Sequence, residues 1–272
     1  MILPVPGAGG GDVMLMSMLM MRSGEIACAG RFCEREAENI EVSLLFGTTR
    51  EYDPETVVPS ERFGSQDDPD NRGWRGQVTV KAPADALGAP LRYAAVSPVD
   101  DRFEPFVIET PEVFGADEQA AARFRQTLAD RLDAAGEDAV LVYVHGVNNS
   151  FADAARRAAQ VSYDLGFEGV PAFYSWPTRR NRWIPSYFSD ADFSSAPPAD
   201  LARFLRELGE EAGTIHLIAH SHGSKLLMQA AGQLRAEGLP LGEVILAAPD
   251  VDADDLERDT RTILAPLSER VT

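Results

Sequence analysis

The run Ile215-His-Leu-Ile-Ala-His-Ser-His-Gly-Ser224 starts as an apolar strand-like stretch and passes abruptly into helix-forming sequence. At its centre, Ala219-His-Ser-His-Gly223 sets a serine two positions from a small residue on either side. This is the Gly-x-Ser-x-Gly pattern with alanine in first place. A strand turning this sharply into a helix needs small residues there, because larger side chains would collide. The turn holds the central hydroxyl clear of the sheet, within reach of a base and a substrate. The chemistry expected of Ser221 is therefore nucleophilic attack on a carbonyl. The plainer alternative makes Ser221 an ordinary helix N-cap.

A second cluster, Val144-His-Gly-Val-Asn-Asn149, follows the apolar run Ala139–Val144. The loop after such a strand is expected to give one backbone N–H, from Gly146 or Val147, to an oxyanion hole, and His222 to give the other. Gly146 would let the backbone approach a substrate closely. Asn148 and Asn149 also read as turn and capping residues. Asp250 and Asp252 follow the run Val244–Ala248, and Asp250 is the candidate acid. Equally, it reads as a cap for a helix beginning near Asp252. The chain has four histidines, His145, His216, His220 and His222, and none lies beyond Asp250. His145, on the oxyanion side, is the first substitute for a missing base. His220-x-His222 has the spacing of a metal pair with Asp250 as third ligand, but a sharp elbow splays the two rings. No metal and no cofactor are expected.

These residues need a framework. Val42–Phe46, Val78–Val80 and Phe106–Ile108 read as strands, the last two antiparallel at one edge, and Asp53–Gly76 as loop. Residues 116–135 carry Phe124, Leu128 and Leu132 at helical spacing before Gly136. Then Ala139–Val144, Pro171–Trp176, Ile215–Ala219 and Val244–Ala248 alternate as strands with helices at Phe151–Leu165, Asp200–Ala212 (Asp200 as N-cap) and Ser224–Ala236. Such alternation implies a mostly parallel sheet with helices on both faces, an α/β fold. Thr178–Pro198 reads as a loop whose aromatics Trp183, Tyr187, Phe188 and Phe193 either line an acyl pocket or pin the loop to the core.

The ensemble resembles the alpha/beta-hydrolase superfamily, and within it a bacterial esterase/lipase-like family of unassigned substrate. The resemblance rests on Phe46-Gly-Thr-Thr-Arg50, Val144–Phe151 with Asp153 and Arg156–Gln160, Tyr163–Phe167, Phe173–Pro177, Ile215–Ser221 and Ile245–Asp252. It implies a serine hydrolase acting on a small-molecule carboxylic ester or related acyl compound, with Ser221 as nucleophile. Two departures stand out. That family usually has methionine where this chain has His222. The superfamily's order Ser, Asp or Glu, His also requires a histidine beyond Asp250. The resemblance thus implies a hydrolase truncated before its last strands, crippled by loss of the C-terminal acid and histidine, with Val244–Ala248 left as a sheet edge open to self-association. The competing reading is a non-catalytic hydrolase-like binding or assembly module.

Composition bounds the rest. The 272 residues carry 43 acidic against 25 basic side chains, a net charge of −18. Phosphate backbones need clustered cations, so nucleic acid is not an expected partner. No apolar run approaches the ~18 residues of a membrane span, and the expected location is the cytoplasm. The run Val13–Met21 and the sequence Ile26-Ala27-Cys28 weakly suggest secretion or lipid attachment instead. Residues 1–38 read as a poorly ordered extension and 39–272 as the hydrolase-like domain. Cys28 and Cys33 lie far from the motifs and leave the redox compartment undetermined.

Overall fold

Alternation along β7 (Ala139–Val144) organises the molecule. Val140, Val142 and Val144 enter one apolar cluster while Leu141 and Tyr143 enter the other, so the strand is buried on both faces. The structure, a computed structural model, describes residues 39–83, 106–178, 196–234 and 238–272. The expected extension 1–38, both cysteines and the aromatics of 183–193 lie outside the described residues.

β7 sits between β8 (Val170–Ser175) and β9 (Thr214–His220), parallel to both. β1 (Asn39–Thr48) lies parallel to β8, and β4 (Trp74–Pro83) antiparallel to β1. β5 (Val107–Ile108) pairs antiparallel with β4, as the sequence suggested for that edge, and β6 (Glu112–Gly115), a strand the sequence did not suggest, pairs antiparallel with β4 too. On the far side β10 (Leu241–Ala247) adds parallel to β9, and β11 (Ser268–Val271) parallel to β10. The sheet order is β11-β10-β9-β7-β8-β1-β4-β5, with β6 also on β4. β2 (Arg50–Tyr52) and β3 (Phe63–Asp67) form a separate ribbon.

Helices cover both faces. α1 (Glu118–Ala135) is capped by Asp117 and ended by Gly136 at φ +72°. α2 (Phe151–Asp164) opens with a reciprocal Ser150–Asp153 capping box. α2 packs Phe151 and four alanines, Ala154, Ala155, Ala158 and Ala159, onto Leu44, Phe46 and Phe173. α1, α3 (Ala196–Gly209) and α4 (His222–Leu234) fill the opposite face through Phe124, Phe204 and Leu226. α5 (Ala253–Asp259) follows β10. No helix among the described residues is long and apolar enough to cross a membrane.

Three expectations are corrected. The stretch Asp53–Gly76 contains β3 and the start of β4 because Phe63, only 3% exposed, supplies an anchor that Asp, Pro and Gly obscure. Asp200 does not start a helix. α3 begins at Ala196, and the Asp200 carboxylate, buried within it, ion-pairs with Arg75 at 3.0 Å. Nor is Val244–Ala248 the sheet edge, or the chain without a further strand: β11 covers it, and the Leu246 N–H donates to the Thr272 carbonyl at 2.8 Å. The edge strand is short and displays Glu269 and Arg270, charges that discourage strand-to-strand pairing.

Candidate active site

Ser221 occupies the junction between β9 and α4 with φ +52°. For a residue bearing a Cβ, this left-handed conformation costs about 1–2 kcal/mol. It is held by a hydrogen bond from the Ser221 N–H to the Ala247 carbonyl at 2.9 Å, which ties the turn to β10. The small flanking residues are needed as expected. Ala219 is fully buried. A Cβ on Gly223 would sit 2.5 Å from the His145 carbonyl oxygen and 2.8 Å from that of Val144. Gly223→Ala is therefore expected to push α4 off β7 and lose about 1–3 kcal/mol of stability. Thermal melting of this variant beside Gly232→Ala, where an added Cβ meets nothing within 4 Å, checks it.

The oxyanion-side loop reaches the same point. A Cβ on Gly146 would approach the Ser221 Cβ to 3.0 Å and the His220 Nδ1 to 3.1 Å, so glycine here answers to the elbow itself. Asn148 turns the chain at φ +60°. The Asn149 side chain donates to the Val147 carbonyl at 2.8 Å and to that of Gly146 at 3.2 Å. Turn chemistry thus accounts for both asparagines, while the helix cap falls to Ser150. Among the described residues the Ser221 hydroxyl has no hydrogen-bond partner, so it neither caps α4 nor meets a base.

The substitute base does not materialise. His145 is fully buried, with Nδ1 2.6 Å from the Gly146 carbonyl and Nε2 3.2 Å from the Ser175 hydroxyl. Its ring stacks on Trp176, whose indole N–H donates to the His145 carbonyl at 2.7 Å. Burial, with the nearby positive charge of Arg50, pulls its pKa from 6.5 to about 3. The folded ring thus resists a proton that the unfolded ring accepts. Stability attributable to His145 is complete above about pH 6.5 and is lost as pH falls towards 3. The slope is up to about 1.4 kcal/mol per pH unit. Urea titrations from pH 7 to 4 are expected to show a shallower acid loss in His145→Asn than in the parent.

The remaining histidines divide the work differently. The imidazole of His222, buried beneath the elbow, holds Nδ1 2.8 Å from the Asp250 carboxylate and lies against Trp176. The two readings of Asp250 separate cleanly: Asp252 caps α5 by accepting from the Asp254 and Asp255 N–H groups, and Asp250 binds His222. His216 accepts from the Glu243 N–H at 3.1 Å, a structural role. His220 is half-buried, its pKa lowered by desolvation and then by Arg157. Among the described residues no three of His, Cys, Asp and Glu gather as a metal site.

Two features escaped the reading of residue types and spacing. One is the His222–Asp250 hydrogen bond, since the sequence brought these two together only as ligands of a metal site. The other is Arg50, which lies fully buried beneath the loop. Desolvation pulls its pKa to about 9 while Asp153 and Asp67 push the other way, and it stays charged at neutral pH. What the arrangement can do chemically is present a serine on a strained backbone, its hydroxyl unengaged among the described residues, beside two candidate backbone donors.

Residues 120–271 match the sequence model of a family described as alpha/beta hydrolase of unknown function (DUF900). No curated protein and no solved structure matches the chain.

Proposed function

Because the chain belongs to this alpha/beta hydrolase family, we propose that it is a serine hydrolase of the esterase/lipase type, acting on a carboxylic ester or related acyl compound. One observation carries the reading: Ser221 at φ +52°, its hydroxyl unengaged among the described residues and its Cβ against Gly146. Ser221 Oγ attacks the substrate carbonyl. The tetrahedral oxyanion is held by the backbone N–H of His222 and by that of Gly146 or Val147. Asp250 grips the His222 ring and so steadies the first residue of α4. The hydroxyl proton must pass to a base, which among the described residues no side chain on Ser221 supplies.

That last observation favours the second reading, a hydrolase-like binding module whose elbow survives as architecture. The two part on turnover. The parent and Ser221→Ala are assayed against p-nitrophenyl esters of increasing acyl length. Hydrolysis in the parent that disappears in the variant supports the enzyme. Equal rates in both, or none in either, support the module.

A further inference from the structure

Arg50 begins β2 at the foot of the oxyanion-side loop, and each of its three nitrogens donates one hydrogen bond at 2.8 Å: Nε to the Ser175 hydroxyl, Nη1 to the Gly64 carbonyl and Nη2 to the Asn149 carbonyl. A guanidinium cannot accept, so the Ser175 oxygen accepts from Nε and its own proton is free to be given elsewhere. The Ser175 oxygen lies 3.2 Å from His145 Nε2. The far side of that ring fixes the tautomer. The Gly146 carbonyl, 2.6 Å from Nδ1, only accepts and is the stronger of two backbone acceptors at the ring, ahead of Trp176, which assigns the proton to Nδ1 and leaves Nε2 to receive the Ser175 hydroxyl. The bonds therefore run in one direction: Arg50 to Ser175, Ser175 to His145, His145 to the Gly146 carbonyl.

That carbonyl belongs to the same peptide unit as the Val147 N–H. In a planar trans peptide the two groups point opposite ways, so fixing one fixes the other. Arg50 also takes the other end of the loop directly, through Asn149, whose carbonyl accepts from Thr178 as well. The loop is thus clamped at both ends by one cation.

We propose that Arg50 is a positioning residue of the oxyanion hole, acting through Ser175 and His145 on the Gly146–Val147 peptide and aiming the Val147 N–H. The inference rests on the serine-hydrolase reading for its catalytic consequence, and on the hydrogen bonds alone for its structural one. It makes Val147, rather than Gly146, the donor on this side. His145 then serves as a neutral ring that holds a peptide in place and has no part in moving the substrate's protons. Charge-assisted bonds such as those of Arg50 are the stronger kind, which suits a group that must hold a loop against a developing negative charge.

Two readouts separate this role from plain stability. The first is ester turnover in Ser175→Ala, His145→Leu and His145→Asn. Ser175→Ala cuts the relay while leaving Arg50 on Gly64 and Asn149, so it is the variant least exposed to misfolding. His145→Leu removes the nearer of the two donors to the Gly146 carbonyl, leaving the longer bond from Asn149 at 3.2 Å, whereas the amide of His145→Asn can replace Nδ1–H. Expected are kcat losses of about 10- to 100-fold for Ser175→Ala and His145→Leu, short of the roughly 100- to 1000-fold for losing a donor outright. KM should stay within about twofold, and His145→Asn should recover a large part of kcat. The second readout is amide hydrogen exchange, which needs no turnover. In Ser175→Ala, exchange at Val147 should quicken while β9 stays as protected as in the parent. Unchanged Val147 exchange, unchanged kcat, or a loss in His145→Asn equal to that in His145→Leu would overturn the proposal. A parent with no Ser221-dependent turnover but quickened Val147 exchange in Ser175→Ala would defeat the hydrolase reading and leave the clamp standing.

Discussion

Ser221→Gly is expected to abolish ester hydrolysis and, in the same molecule, to raise the melting temperature. The loss is several orders of magnitude, since Ser221 is the group proposed to form the acyl intermediate. The gain comes from the backbone. Ser221 is held at φ +52°, where a Cβ is strained by about 1–2 kcal/mol. Glycine relieves that strain but adds about 0.5–1 kcal/mol of chain entropy to the unfolded state. The net is a stabilisation of up to about 1.5 kcal/mol, or a rise of up to roughly 6 °C in a domain of this size. Ser221→Ala keeps the Cβ and therefore the strain, so it should lose activity with its melting temperature nearly unchanged. Thermal denaturation of the three proteins side by side checks the argument. A Ser221→Gly variant that melts below Ser221→Ala would mean the positive φ is not being held against preference.

The second large effect lies away from the site, in the attachment of α3 to the sheet. Arg75 of β4, only 2% exposed, donates from Nε to Glu207 at 2.6 Å and from both terminal nitrogens to Asp200 at 3.0 and 3.1 Å. Tyr174 shares its hydroxyl proton between Asp200 and the Pro197 carbonyl, each at 3.1 Å. The two carboxylates raise the already high pKa of Arg75 further, outweighing its desolvation. Arg75→Met leaves the two buried carboxylates with Arg203, its side chain 46% exposed, as their remaining cation, 2.5 Å from Asp200 and 3.8 Å from Glu207, and so costs about 3 kcal/mol, the low end for breaking a buried pair. At roughly 2–4 °C per kcal/mol, melting should fall by on the order of 10 °C. Replacing the whole cluster, Arg75→Met with Asp200→Leu and Glu207→Leu, removes the stranded charges and should regain most of that loss, because a buried ion network is often worth no more than apolar groups of its size. Urea unfolding of the single and triple variants distinguishes the cases. A single variant as stable as the parent would contradict the burial of the network.

The parts of the fold that depend on local pattern are the parts that can be read from sequence. The Ala139–Val144 run could only be a strand covered on both faces, and Gly136 and Gly166 mark the ends of α1 and α2 because left-handed turns favour glycine. The elbow is legible for the same reason: a serine between Ala219 and Gly223 at a strand-to-helix boundary leaves few other uses. What stays hidden are partnerships across the chain. Asp200 looks like a helix cap because its partner Arg75 is 125 positions away and nothing local reveals it. Arg50 looks like one polar residue after two threonines until β8 and the Asn149 turn arrive around it. His222 and Asp250 lie 28 positions apart, and spacing could suggest them as metal ligands but not as a hydrogen-bonded pair. Which of Asp250 and Asp252 caps α5 likewise depended on where β10 lets go of the chain.

The central proposal is that Ser221 serves as a nucleophile before an oxyanion hole. A fluorophosphonate tests it most directly, because it bonds to a serine only when that hydroxyl is activated and the phosphonyl oxygen has donors to receive it. Intact mass spectrometry of the treated protein should find a single adduct on the parent and none on Ser221→Ala. A folded parent that takes up no label, or a label that survives in Ser221→Ala, would contradict the account.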